Sequence, residues 1–241
     1  MKLNIFASTT KDGIMSKDKK FFEKLTTKER ELLYETTLKR FFESKGINYK
    51  EVIIMSENNN KITSRVVTKA TIKTKEAILL LKETTPNLTV AVETTDYPII
   101  VASAKGENGK NVCAIALGTI ENINNGILHE IIESLIKETN AAPFEMTFYI
   151  GACPSQANFL LEDSSILTNN LIWKDTTIKK RKKTYLDLRY AIFNTLISEI
   201  VDPNYIYFDS TDTKEDSKYF SNFGEKPGKN LICVVYTNEE V

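Results

Sequence analysis

The sequence predicts an α+β fold of sandwiched layers. Three observations carry this. Amphipathic helical segments recur at residues 26–44, 125–139 and 185–199. Short apolar strands lie between them, and two of those strands are joined by a hairpin turn, which speaks against a doubly wound parallel sheet. The chain has 241 residues, enough to bury a sizeable core, with no internal repeat or low-complexity linker, so one domain over 1–241 is expected.

Taken in order, Leu3 to Ser8 reads as a strand closed by the turn Lys11-Asp12-Gly13. Thr26-Thr27-Lys28-Glu29 is a capping box that opens a helix to Ser44. Leu32, Leu33, Thr36, Leu38 and Phe41 roughly keep helical spacing, and Gly46 stops the helix. Val52 to Met55 is a short apolar strand before the turn Glu57-Asn58-Asn59-Asn60. Leu88 to Val92 and Ile99 to Ala104 are strands around the bend Asp96-Tyr97-Pro98, and Gly106 to Gly109 turns into a strand from Asn111 to Leu117. The helix from Asn125 to Thr139 places Ile127, Leu128, Ile131, Ile132, Leu135 and Ile136 on one face. Met146 to Ile150 is a strand ending at Gly151. A helix from Tyr185 to Glu199 follows, and strands at Tyr205–Phe208 and Leu231–Tyr236 complete the pattern.

Lys plus Arg and Asp plus Glu both number 32, so the net charge is zero and no basic stripe marks a nucleic-acid partner. The run Lys179-Lys180-Arg181-Lys182-Lys183 is the exception, and reads as a solvated loop or helix end. No stretch approaches the ~20 apolar residues of a membrane span, and no secretory h-region opens the sequence. The cysteines are Cys113, Cys153 and Cys233, an odd number without metal-site spacing. A reduced, cytoplasmic setting without a membrane partner is expected.

The catalytic inventory is sparse. His129 is the one histidine and lies within a helix, where Glu130 and Glu133 read as a solvated face; a zinc site needs three or four ligands. No Ser-His-Asp or Cys-His pair is evident. Cys153, in Gly151-Ala152-Cys153-Pro154, enters a turn after a strand, yet reads as a small buried apolar residue; Cys113 and Cys233 lie in apolar strands. Neither a GxGxxG nor a P-loop is present.

The order of several short motifs goes further. Phe6 to Ser16 resembles a family opening of phenylalanine followed by Thr-Arg-x-Gly-Gly-x-Ser. Ile54 to Ile62 is similar to a leucine followed by Gln-Val-His-Gly-x-x-Val, and Thr94-Thr95-Asp96-Tyr97-Pro98-Ile99 to Thr-Ala-Asp-Cys-x-Pro-Ile, one residue shorter. Val112 to Glu121 resembles Val-Ala-Ala-Val-His-Ala-Gly-Trp-Arg-Gly with Gly118 kept, and Tyr149 to Phe159 resembles an Ile-Gly-Pro run. Asp187-Leu188-Arg189 to Leu196, Ser210-Thr211, and Tyr219-Phe220-Ser221 with Gly228-Lys229 follow in the same order. On this collinearity the chain is identified as a divergent member of the laccase-domain family. These purine nucleoside phosphorylase-like proteins are also called multicopper polyphenol oxidoreductases or YfiH-type proteins.

The resemblance implies a four-layer α/β/β/α sandwich with mixed sheets. It also implies metal-assisted chemistry on purine nucleosides: phosphorolysis, and deamination of adenosine. An older description of the family assigns copper-dependent polyphenol oxidation. The family's zinc is held by two histidines and a cysteine, whose matching positions here are Asn58, Tyr97 and Ala116. An amide oxygen is a weak zinc ligand, a phenol has a pKa near ~10, and alanine offers no donor, so no metal cofactor is expected. Ile120 replaces the family's arginine, and Asn222 to Gly224 replace Tyr-Arg-Arg. The resemblance leaves Asp96, Cys153 and Ser221 as candidate cleft residues, with Gly118 at the same cleft, and Lys11 and Lys229 as candidates to meet phosphate. Two readings follow: an inactive or strongly altered member of the phosphorylase and deaminase family, or a non-catalytic scaffold that binds a nucleoside or a protein partner.

Overall fold

The structure, a computed structural model, describes residues 1–55, 62–69, 74, 76–168 and 170–238. In chain order its elements are β1 (Lys2–Ala7), α1 (Thr27–Ser44), β2 (Val52–Met55), β3 (Ser64–Val67), β4 (Ile78–Lys82), β5 (Thr89–Thr94), β6 (Ile99–Lys105) and β7 (Asn111–Leu117). Then come α2 (Ile120–Asn124), α3 (Ile127–Thr139), β8 (Thr147–Ile150), β9 (Leu160–Leu161), α4 (Asn170–Trp173), β10 (Thr177–Lys180), β11 (Lys183–Leu186), α5 (Leu188–Ser198), β12 (Ile206–Phe208) and β13 (Asn230–Thr237). The turn expected at residues 57–60 lies outside the described residues.

Two mixed sheets form the centre. The first has the order β1-β13-β5-β2, with β2 parallel to β5 and the other pairs antiparallel. The second has the order β12-β8-β6-β7-β4-β3, parallel at both edges. Strand alternation splits each sheet's side chains between two cores. On β7, Val112, Ala114 and Ala116 face the helices α2, α3 and α5, while Cys113, Ile115 and Leu117 face the first sheet. On β13, Ile232, Val234 and Tyr236 meet the second sheet, whereas Leu231, Cys233 and Val235 meet α1. The result is the four-layer α/β/β/α order. A small third sheet, β10-β11-β9, lies beside the helical layer and contributes Leu161 and Leu186 to its core. Among the described residues, no helix is long and apolar enough to cross a membrane.

The helices follow from local rules, with corrections. Thr26 caps α1 by the expected capping box with Glu29. The buried face of α1, however, is Thr37, Leu38, Phe41 and Phe42; Leu32 and Leu33 are 67% and 41% exposed because they project on the opposite side. On α3 the expected stripe is buried except at Ile136, which is half-buried, and each fully buried Ile and Leu side chain contributes about 1.5–3 kcal/mol. The helix expected over 185–199 begins only at Leu188. Tyr185 and Leu186 belong to β11, and Asp187 is the N-cap, accepting the Tyr190 amide at 2.9 Å. The basic run is solvated as expected, but as the tip of the β10–β11 hairpin: Arg181 and Lys182 make the turn, and Lys179, Lys180 and Lys183 are paired in the strands.

Candidate functional site

A cleft of about 720 Å³ opens where the ends of β5 and β7 meet α2. Thr94, Thr95 and Tyr97 line it from the turn after β5, and Leu117 and Thr119 from the end of β7. Ile120, Glu121, Asn124 and Asn125 form one wall, Asp18 and Lys20 the rim opposite, and Asn222 and Lys229 arrive from the segment before β13. The lining is rich in hydroxyls and amides around Tyr97, Leu117 and Ile120, which suits a ring-sized polar ligand; ligand pockets commonly span about 300–1,000 Å³.

Close backbone approach fixes the floor. The Gly118 amide donates to the Pro98 carbonyl at 2.8 Å, and a Cβ at Gly118 would stand 3.1 Å from Ile100 and 3.2 Å from that carbonyl. Gly151 donates to the Ile99 carbonyl at 2.9 Å, and a Cβ there would lie 2.8 Å from the Ile99 side chain. Both glycines let β7 and β8 end flush against β6. The wall is pinned by side chains. Thr119 caps α2 by accepting the Asn122 amide at 3.1 Å, and the Asn122 side chain donates to the Leu117 carbonyl at 2.8 Å. Asn124 donates to the Ile166 carbonyl at 2.7 Å and accepts from the Trp173 indole at 2.6 Å.

The candidate residues fall into separate places. Tyr97 lines the cleft, its ring 5.9 Å from Phe159, which lies 5.3 Å from Phe223. Burial, then the Asp96 charge, raises its phenol above the ordinary value. Lys229 also lines the cleft. Its side chain is 12% exposed and its ammonium lies 3.5 Å from Asp18 and 3.9 Å from Glu93, which also accepts from the Tyr34 phenol. Asp96 and Ser221 are buried rather than lining the cleft. Asp96 adopts a left-handed backbone conformation, φ +65°, and accepts from the Thr213 hydroxyl at 2.8 Å and the Asn222 amide at 2.7 Å. Burial raises its carboxyl, while hydrogen bonds from Ser221, Asn222 and Thr213 pull it back.

The remaining candidates lie elsewhere. Cys153 is fully buried and its thiol is pushed up to about 12, chiefly by burial, so no thiolate nucleophile is available near neutrality. Lys11 is exposed on the turn after β1 and does not line the cleft. Ala116 is fully buried in β7, opposite Ile100 on one side and Ile78 on the other. Asn58 lies outside the described residues. His129 is on the surface of α3, its Nδ1 3.2 Å from Glu199, whose hydrogen bond raises the imidazole above its ordinary value.

Sequence reasoning passed over Asp18, Lys20, Glu93 and Thr119. Asp18, Lys20 and Glu93 lie outside every one of the motifs, and Thr119, although within Val112–Glu121, has no chemistry marked at its position; the fold gathers them. Asp212 was passed over too. It accepts from the Ser155 amide at 3.0 Å, the Asn158 side chain at 2.8 Å and the Lys214 amide at 2.9 Å, tying two loops together.

The family model described as multi-copper polyphenol oxidoreductase laccase matches residues 7–236. The chain belongs to that family. Solved structures share its fold along most of its length. YlmD from Geobacillus stearothermophilus is 15% identical, with a TM-score of 0.71 over 85% of this chain and 80% of that one. The hypothetical protein YfiH of Bacillus licheniformis is 16% identical, with a TM-score of 0.69 over 84% and 80%. A Neisseria meningitidis protein is 15% identical, with a TM-score of 0.63 over 85% and 81%. Among curated protein sequences none matches.

Proposed function

We propose that this chain is a single-domain, cytoplasmic laccase-family protein that has lost the family's metal-assisted nucleoside chemistry and keeps the cleft as a binding site for a purine nucleoside. The observation that carries this is the donor set. By resemblance the family's zinc would sit on Asn58, Tyr97 and Ala116. Ala116 has no donor atom and is fully buried, and the Tyr97 phenol is held in its protonated form by burial. Among the described residues, no group of three or more His, Cys, Asp or Glu side chains could hold a metal ion. The described residues at these positions do not supply donors that fit the ion. Lys229, the cation best placed to meet phosphate, is already engaged by Asp18 and Glu93, which weakens the case for phosphorolysis further.

What supports retained binding is the cleft itself, with its ring-sized volume, hydroxyl and amide lining, and aromatic wall at Tyr97. The test has two arms. Adenosine and inosine are incubated with phosphate and the purified protein, its metal content assayed, and bases and nucleosides are separated by chromatography. In parallel, adenosine binding is titrated calorimetrically on the native protein and on Asn222→Trp, which narrows the cleft from an exposed position. The expected result is no product, no stoichiometric metal, and binding lost in the variant. Turnover that follows bound metal would overturn the reading. Absence of both turnover and binding would leave the scaffold for a protein partner.

A further inference from the structure

The β10–β11 hairpin has the favoured two-residue turn geometry but fills it with unfavoured residues. Its two turn residues, Arg181 and Lys182, have φ of +47° and +67°, where asparagine and glycine are the usual occupants. Lys180 lies directly opposite Lys183 across the strands, a like-charge pairing that opposes the ladder. Among the described residues, none of the five cations from Lys179 to Lys183 makes an ion pair. Local features that work against folding mark places where something other than stability sets the residue types.

The register shows how the cations are presented. Ile178 pairs with Tyr185, Lys180 with Lys183, and Tyr185 with Leu160 of β9. Leu186 and Leu161 are buried in the core, so the alternate positions Leu160, Ile178, Tyr185, Lys180 and Lys183 share the outer face of the small sheet. A hollow of about 690 Å³ beside the turn is lined by Lys180, Arg181, Lys183 and the half-buried Tyr185. A ring lying among three unpaired cations on an open sheet face is chemistry suited to a flat base flanked by phosphates.

We propose that this outer face binds a single-stranded polynucleotide, with the Tyr185 ring stacking on an unpaired base and Lys180, Arg181 and Lys183 meeting the adjoining phosphates. The zero net charge of the whole chain does not oppose this. Screening confines each charge's influence to about 8 Å at physiological salt, so the local cluster sets the field. A duplex would leave the ring without a base face to stack on. An anionic lipid surface would meet the same cations but leave the half-buried Tyr185 ring unused, the difference that Tyr185→Leu and vesicle competition read. The site is separate from the cleft and does not rest on the cleft's reading.

The test is fluorescence anisotropy with a labelled oligouridylate of about 15 nucleotides across a salt series. Three phosphate contacts should give log K against log salt a slope of about −2. Tyr185→Leu, which keeps an apolar partner for Leu160, should weaken binding about tenfold without changing that slope. The triple variant K180Q/R181Q/K183Q should flatten the slope, with circular dichroism unchanged in every variant. No binding at low salt would overturn the proposal. So would an affinity indifferent to Tyr185→Leu, or competition by polyglutamate or anionic vesicles as strong as by the oligonucleotide.

Discussion

Replacing Asp96 by alanine removes the hub that ties the turn after β5 to the segment before β13. Three donors, the Ser221 and Thr213 hydroxyls and the Asn222 amide, lose a carboxylate acceptor, the latter two at 2.8 and 2.7 Å. A hydrogen bond to a charged group contributes about 1.5–3 kcal/mol. Alanine also tolerates the left-handed backbone at φ +65° less well than aspartate, by about 1 kcal/mol. Against this stands the desolvation of the carboxylate, only 4% exposed, which its raised pKa reports and which disappears in the variant. The net expected loss is about 3 kcal/mol. Asp96→Asn, which keeps one acceptor oxygen and the backbone preference, should lose about half of that. Urea unfolding at pH 7 reads both, and a cycle with Thr213→Val should show strong coupling, since each single change removes the same bond. An Asp96→Ala variant within about 1 kcal/mol of the parent, or simple additivity with Thr213→Val, would refute the hub argument.

Two further outcomes follow from the same physics. The Tyr236 hydroxyl is buried between the two large sheets without a hydrogen-bond partner among the described residues, so Tyr236→Phe should raise stability by about 1 kcal/mol in thermal or urea unfolding. At Asp212, burial pushes the carboxyl up, but hydrogen bonds from Ser155 and Asn158 outweigh it and leave the pKa at about 2. Because the folded value lies below the unfolded 3.8, the stabilisation is complete above pH 4 and lost as pH falls through about 2. Asp212→Asn should therefore flatten the parent's acid-unfolding profile between those limits, and a profile of unchanged steepness would count against the assignment.

Legibility in the sequence tracked how local the signal is. Helix α3 was readable because one face carries nearly all of its apolar residues. Helix α1 was readable by its cap but not by its face, since Leu32 and Leu33 keep the right spacing yet point to solvent. Strand β4 escaped because Ile78-Leu79-Leu80-Leu81 is apolar throughout, buried on both faces, and shows no alternation. The small third sheet escaped because charge masked it: a run of cations reads as solvated chain, and only pairing with β9 makes it a surface. At the cleft, Tyr97 and Lys229 were reachable through motif order. The state of Lys229 was not, because Asp18 and Glu93 come from distant parts of the chain. The sequence likewise offers Asp96 as a carboxylate; only tertiary geometry reveals that its oxygens are already occupied.

The position of β13 has a consequence for how the molecule assembles. It lies between β1 and β5, with Lys2 opposite Thr237 and Asn230 opposite Thr94, although these partners are separated by most of the chain. During synthesis, β1, α1 and β5 emerge before the strand that lies between β1 and β5, and the core beneath α1 lacks Leu231, Cys233 and Val235 until β13 has been made. The six-stranded sheet, complete once β12 has been made, can consolidate earlier on the ribosome. The first sheet cannot join β1 to β5 without β13, so its completion depends on one eight-residue segment with distant pairing partners.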